Sequence, residues 1–152
     1  MTTPEQRLEQ MGLSVPEVAK PVASYVPAVR SGNHVFTSGQ LPMRGGRMIT
    51  TGKVGGEVTA EEAVECARQC ALNALAAVRA EIGELSNIKR IVKVVAFVAS
   101  TPDFTGQPGV ANGASELFGA VFGEIGQHAR SAVGVPVLPL DAPVEVELIV
   151  EV

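Results

Sequence analysis

From Ala63 to Ile82 apolar residues recur at every third or fourth position. Ala63, Val64, Ala67, Ala71, Leu72, Leu75, Val78 and Ile82 fall on one stripe, which predicts a long amphipathic helix. Thr59-Ala-Glu-Glu62 in front of it is a capping box, and Gly83 is a C-terminal stop. The stripe is mostly Ala and Val, so a sheet can approach it closely. Residues 88–100 (IKRIVKVVAFVAS) follow no helical period. They are β-branched and largely apolar and predict a central strand, ended by Thr101-Pro102-Asp103. Residues 130–137 and 144–152 predict two more strands. In the last of them charge and apolar side chain alternate, which puts Glu145, Glu147 and Glu151 on one face.

The remaining elements are shorter. Thr3-Pro4-Glu5-Gln6 starts a helix over residues 4–11 that Gly12 stops. Residues 25–30 and 34–38 predict a strand pair around Ser31-Gly32-Asn33. Residues 44–58 are Gly-rich and predict a loop, with a short strand at 47–50. Residues 112–123 (NGASELFGAVFG) predict a second, less regular helix. The order ββ, helix, strand, helix, ββ predicts an α+β fold with two main helices on one face of a mixed β-sheet. The 152 residues suit a single domain, with residues 1–20 as a short N-terminal helical extension.

Composition adds constraints. Hydrophobic residues make up 46% and aromatics 4%, with no Trp, so the core is built from Val, Ala, Leu and Ile. A mean hydropathy of +0.25 points to apolar faces buried between subunits. A net charge of −4 argues against a nucleic-acid partner, which needs a basic stripe to displace counterions. No apolar run approaches the ~18–20 residues of a membrane span, and the polar N-terminus is not a signal peptide. A cytoplasmic protein is expected, with Cys66 and Cys70 reduced.

Several residues invite a chemical role. Cys66 and Cys70 stand at i and i+4 of one helix, too few ligands for a structural zinc, and read as buried packing. Gly52-Lys53-Val54-Gly55-Gly56 lacks the spacing of a phosphate loop. His34 and His128 have no partner at a recognisable spacing and read as structural or exposed. Ser38 has none either, which argues against a nucleophile. Arg130 differs, because its neighbours are small or apolar and its guanidinium always carries a charge. It requires an anion or water. A surface arginine or a structural salt bridge satisfies that need as well as a ligand does, and the glutamates read equally as a solvated face.

Three stretches carry a resemblance: YVPAVRSGNHVFTSGQLP, the Gly-rich loop after it, and HARSAVGVPVLPLDAPVEVELIVEV. Over about residues 20–152 they resemble the Rid family (RidA/YjgF, reactive intermediate deaminases, once described as translation inhibitors or endoribonucleases). The N-terminal helix, QPGVANGASELFG and GQHAR resemble its longer-chain subgroup. The resemblance implies a chorismate-mutase-like fold and a homotrimer with clefts between subunits. It implies hydrolysis of 2-imino acids, and of their enamines, to 2-oxo acids and ammonia. Carried over, the substrate-binding arginine is Arg130 and the acid near the reactive water is Glu145. Tyr25, the strand-end Ser38 with Gly39, the helix-start Asn112, and Ala132 line the cleft. Some members have a Cys where this chain has Ala132, so a thiol role is excluded.

The implied chemistry suits these residue types. A guanidinium holds a carboxylate through two parallel charge-assisted hydrogen bonds, which positions the neighbouring imine carbon. A glutamate orients a water and takes its proton. A protonated imine is already electrophilic, so no cofactor and no metal are expected. Two other readings stay open: a non-catalytic trimer that binds small carboxylates and signals, and the older reading of RNA cleavage or translation inhibition.

Overall fold

The computed structural model describes residues 2–19 and 24–152. In chain order the helices are α1 (Pro4–Gln10), α2 (Ala60–Ile82) and α3 (Gln107–Phe122). The strands are β1 (Ala28–Ser31), β2 (His34–Thr37), β3 (Met43–Arg44), β4 (Arg47–Met48), β5 (Arg90–Ala99), β6 (Ala129–Val135) and β7 (Val144–Glu151). Five strands form one sheet in the order β1-β2-β7-β5-β6, and β3 and β4 form a separate small hairpin. Among the described strands of this sheet the β5–β6 pair is parallel, because α3 carries the chain back over the sheet between them, and the other pairs are antiparallel; the sheet is mixed, as expected.

Both capping boxes form. The Thr3 and Thr59 hydroxyls accept from the backbone N–H groups of Gln6 and Glu62, whose side chains accept in return. The Ala-rich face of α2 is buried against the sheet and α3. Where the two helices cross, a Cβ on Gly113 would lie 2.2 Å from the Val64 carbonyl oxygen. Gly113→Ala must push rigid backbone apart, and we expect it to lower stability by ~1–3 kcal/mol or more, read as the urea midpoint. Helix α1 docks through fully buried Leu8. Arg7 Nη1 donates to the Val121 carbonyl at 2.8 Å, and Glu5 accepts from the Leu85 N–H at 2.8 Å. The C-terminal limit of the predicted extension, at residue 20, lies outside the described residues.

Three of the boundaries that differ from the sequence expectation have a plain physical cause. Helix α3 starts at Gln107 rather than Asn112, since Pro108 fits a first turn that needs no N–H. Asn112 therefore sits in the second turn, not at the helix start. Strand β1 starts at Ala28, because Pro27 has no N–H to give a ladder; its carbonyl instead accepts from Ser38 N. Strand β6 ends at Val135, before Pro136.

Register assigns the side chains to faces. Val94, Ala96 and Val98 of β5 are buried under the helices, and the parallel register sets Arg130 beside Val94 and Ala132 beside Ala96. Arg130 and Ala132 therefore point to the helix side. Across the antiparallel pair Glu145 sits opposite Phe97 and Glu147 opposite Val95, so both acids point to the other side. That second face also exposes Val29, Phe36 and Val133, at 52%, 44% and 44%. Among the described residues no helix is long and apolar enough to cross a membrane.

Candidate functional site

The residues singled out from sequence fall into two groups on opposite faces of the sheet. The first surrounds Arg130 on the edge strand β6. Its Nη1 donates to Asn112 Oδ1 at 2.8 Å and to Ser115 Oγ at 3.1 Å, both on α3. Asn112 and Ser115 are three positions apart, so one helix face presents both oxygens. Ala132, two residues along β6, is half-buried on the same side. Both oxygens on Arg130 are neutral. Among the described residues the ion pair is Lys53–Asp141, so no carboxylate neutralises this arginine. The structural salt bridge that the sequence left open is absent there. Lys53 is engaged by Asp141 and the loop around it buries Val54 and Val58, which is structural and not a phosphate loop.

The second group surrounds Glu145, in a cleft of about 860 Å³. Tyr25, Gly39 and Glu145 line it, with Leu41, Met43, Arg44, Gln69 and Asn73. The cleft has a mostly apolar wall and a few convergent polar groups, the character of a small-molecule site. Burial, with Glu147's charge as a smaller contribution, raises the Glu145 carboxyl above its ordinary pKa of 4.5. An acid shifted this way is a poised base. Gly39 makes room for it: a Cβ there would lie 1.9 Å from Glu145 Oε1. Gly39→Ala should displace that carboxylate at little cost in stability, since it is the end of a flexible side chain. The unfolding midpoint is expected to stay near wild type.

Ser38 belongs to the second group only indirectly. Its Oγ donates to the Val26 carbonyl at 2.6 Å, which fastens the segment carrying Tyr25. That bond occupies the hydroxyl and agrees with rejecting it as a nucleophile. The buried thiols behave as packing: burial pushes Cys66 up to about 11 and Cys70 well above its usual value.

Three functional candidates escaped the sequence reading. Ser115 is the second oxygen on Arg130. Gln69 and Asn73 are buried amides at the cleft: Gln69 donates to Asn73 at 3.1 Å, and Asn73 donates to the Leu41 and Met43 carbonyls at 3.0 and 2.9 Å. Two amides at i and i+4 beside an apolar stripe were the available signal.

Within one chain, then, the cation and the acid do not meet. Arg130 is held under α3, and Glu145 opens into the cleft from the other face of the sheet.

The family described as "YjgF/chorismate_mutase-like, putative endoribonuclease" matches residues 5–152. The chain is 46% identical to "Protein TCP17" of Trypanosoma cruzi over 145 residues, covering 95% of this chain and 91% of that protein. It is 35% identical to a protein of Dermatophagoides farinae named 2-iminobutanoate/2-iminopropanoate deaminase, covering 91% and 93%. It superposes with a TM-score of 0.93 on the crystal structure of Atu1372 from Agrobacterium tumefaciens, described as of unknown function, at 47% identity and covering 98% and 92%.

Proposed function

The chain belongs to the YjgF/RidA family, with its chorismate-mutase-like fold, and on that premise we propose that it hydrolyses 2-imino acids, and their enamines, to 2-oxo acids and ammonia. One observation carries the reading. Arg130 is a half-buried cation held by two neutral oxygens, with no carboxylate on it among the described residues. A cation kept in place yet not neutralised is ready to take an anion from outside the chain. The carboxylate beside an imine is such an anion. The relative named as an imine deaminase supports the substrate class.

In this reading Arg130 clamps the carboxylate and Glu145 takes a proton from water. Water oxygen adds to the imine carbon and the nitrogen gains a proton. Ammonia then leaves as the carbonyl forms. Tyr25 and Gly39 shape the wall on the Glu145 side, and Asn112 and Ala132 the surroundings of Arg130. Imines made in situ from a panel of amino acids by an amino-acid oxidase test the activity, with imine loss as the readout. Binding of 2-oxobutanoate without faster imine loss would replace the hydrolase by a carboxylate-binding protein.

The site also calls for more than one copy. Arg130 and Glu145 point to opposite faces of one sheet, so a working pair needs the arginine of one copy and the glutamate of another. The exposed Val29, Phe36 and Val133 on the Glu145 side offer an apolar face for that contact. We expect a homotrimer. A light-scattering mass of a monomer or dimer at micromolar concentration would overturn it.

A further inference from the structure

We infer that Ser115 and His128 are positioning residues for Arg130, and that they fix which edge of its guanidinium meets the substrate. The inference rests on the carboxylate-clamp reading above. Ser115 Oγ lies 2.9 Å from His128 Nε2, and His128 Nδ1 lies 2.7 Å from the Gly126 carbonyl oxygen. A carbonyl only accepts, so Nδ1 carries a hydrogen. In the neutral imidazole Nε2 is then an acceptor, and the Ser115 hydroxyl donates to it. That turns the Ser115 lone pairs toward Arg130, whose Nη1 donates to Oγ at 3.1 Å. Each bond in the relay leaves its neighbour one role.

The far end of the relay is anchored in the core. The His128 ring packs edge-on against fully buried Phe118, with centroids 5.9 Å apart and planes at 89°. Gly126 lies so close to α3 that a Cβ there would be 2.3 Å from the Phe118 carbonyl oxygen. The imidazole is thus held by packing on one side and by a fixed carbonyl on the other. A Ser–His pair also suggests a nucleophile. Against that, this Oγ accepts from a cation, which draws electron density from it and makes it a poorer nucleophile.

The consequence for Arg130 is geometric. Nη1 carries two hydrogens, and Asn112 and Ser115 take both. The end-on fork of Nη1 with Nη2 is therefore blocked. The side-on fork, Nε with Nη2, is the edge left for a bidentate carboxylate. The relay selects that edge and stops the guanidinium from rotating away from it.

The test combines binding, kinetics and arginine side-chain NMR on Ser115→Ala, Ser115→Thr and His128→Phe. The phenylalanine keeps the ring against Phe118 but accepts no hydrogen bond. Unfolding midpoints are taken on the same preparations. We expect Ser115→Ala and His128→Phe to weaken 2-oxobutanoate binding and raise KM about tenfold, a fraction of the ~10²-fold that a 1 Å misplacement can remove. The kcat should change less than KM, because the guanidinium and its free Nε–Nη2 edge remain in these variants. Ser115→Thr keeps the hydroxyl and should restore affinity. In the wild type, the Arg130 Nη1 protons should give slowed, resolved signals that Ser115→Ala loses. Wild-type affinity in Ser115→Ala would overturn the inference. If the wild type binds no 2-oxo acid, the imine reading fails, and the NMR signal still decides the relay: a signal unchanged in Ser115→Ala overturns it.

Discussion

Arg130→Lys is expected to lose imine hydrolysis as completely as Arg130→Ala, down to the uncatalysed rate, with the assembly still folded. Lysine keeps the positive charge but presents a single ammonium on a flexible stem. It has no planar edge to set against a carboxylate, and it cannot give two fixed hydrogens to Asn112 and Ser115 while keeping a fork for the ligand. The fold should tolerate either change, because Arg130 stands on an edge strand, the partners lost are two neutral oxygens of α3, and no buried carboxylate is stranded. Imine loss and sedimentation on the same samples check both halves. Most of the activity surviving in the lysine variant would show that charge alone suffices. Full activity in the alanine variant would remove Arg130 from the site.

Glu145→Gln is expected to lower turnover by ~10²-fold or more, the usual loss of a general base, while 2-oxo acid affinity changes little. The shape and hydrogen-bonding reach stay; the proton acceptor goes. If ligand binding collapses instead, the role of Glu145 is to orient the clamp. Glu147→Gln shares the sheet face and should leave rate and affinity near wild type.

Two pH effects follow from the raised Glu145 carboxyl. Catalysis needs the ionised form, so the acid limb of the rate profile should lie above the ordinary glutamate range. Stability runs the other way. A carboxyl whose folded pKa exceeds its unfolded value holds its proton more tightly in the fold. Ionising it therefore destabilises the fold above the folded pKa, and that cost vanishes below the unfolded value of 4.5. Glu145→Gln should accordingly unfold at a higher temperature than wild type at neutral pH, and the two should converge in acid. An equal midpoint at neutral pH would show that burial of this carboxylate costs nothing.

Local pattern was enough for the elements. The stripe behind Thr59, the β-branched run of β5 and the alternation of β7 each report a burial geometry that repeats over several residues, and each element formed. Both capping boxes formed because their partners are three residues apart. The single cation of the last third was also legible, since Arg130 stood among residues that could not neutralise it. The start of α3 was not, because Gly106 and Gly109 weaken the helical signal there; within the helix, a close approach to α2 requires the glycine at Gly113. Nothing local links Ser115 to His128 and Arg130. They are far apart in sequence and meet only because α3 folds back over β6. The tertiary structure alone also sets Arg130 and Glu145 on opposite faces. Strand alternation tells which residues of one strand share a face. Only the register between strands tells whether two strands' faces are the same.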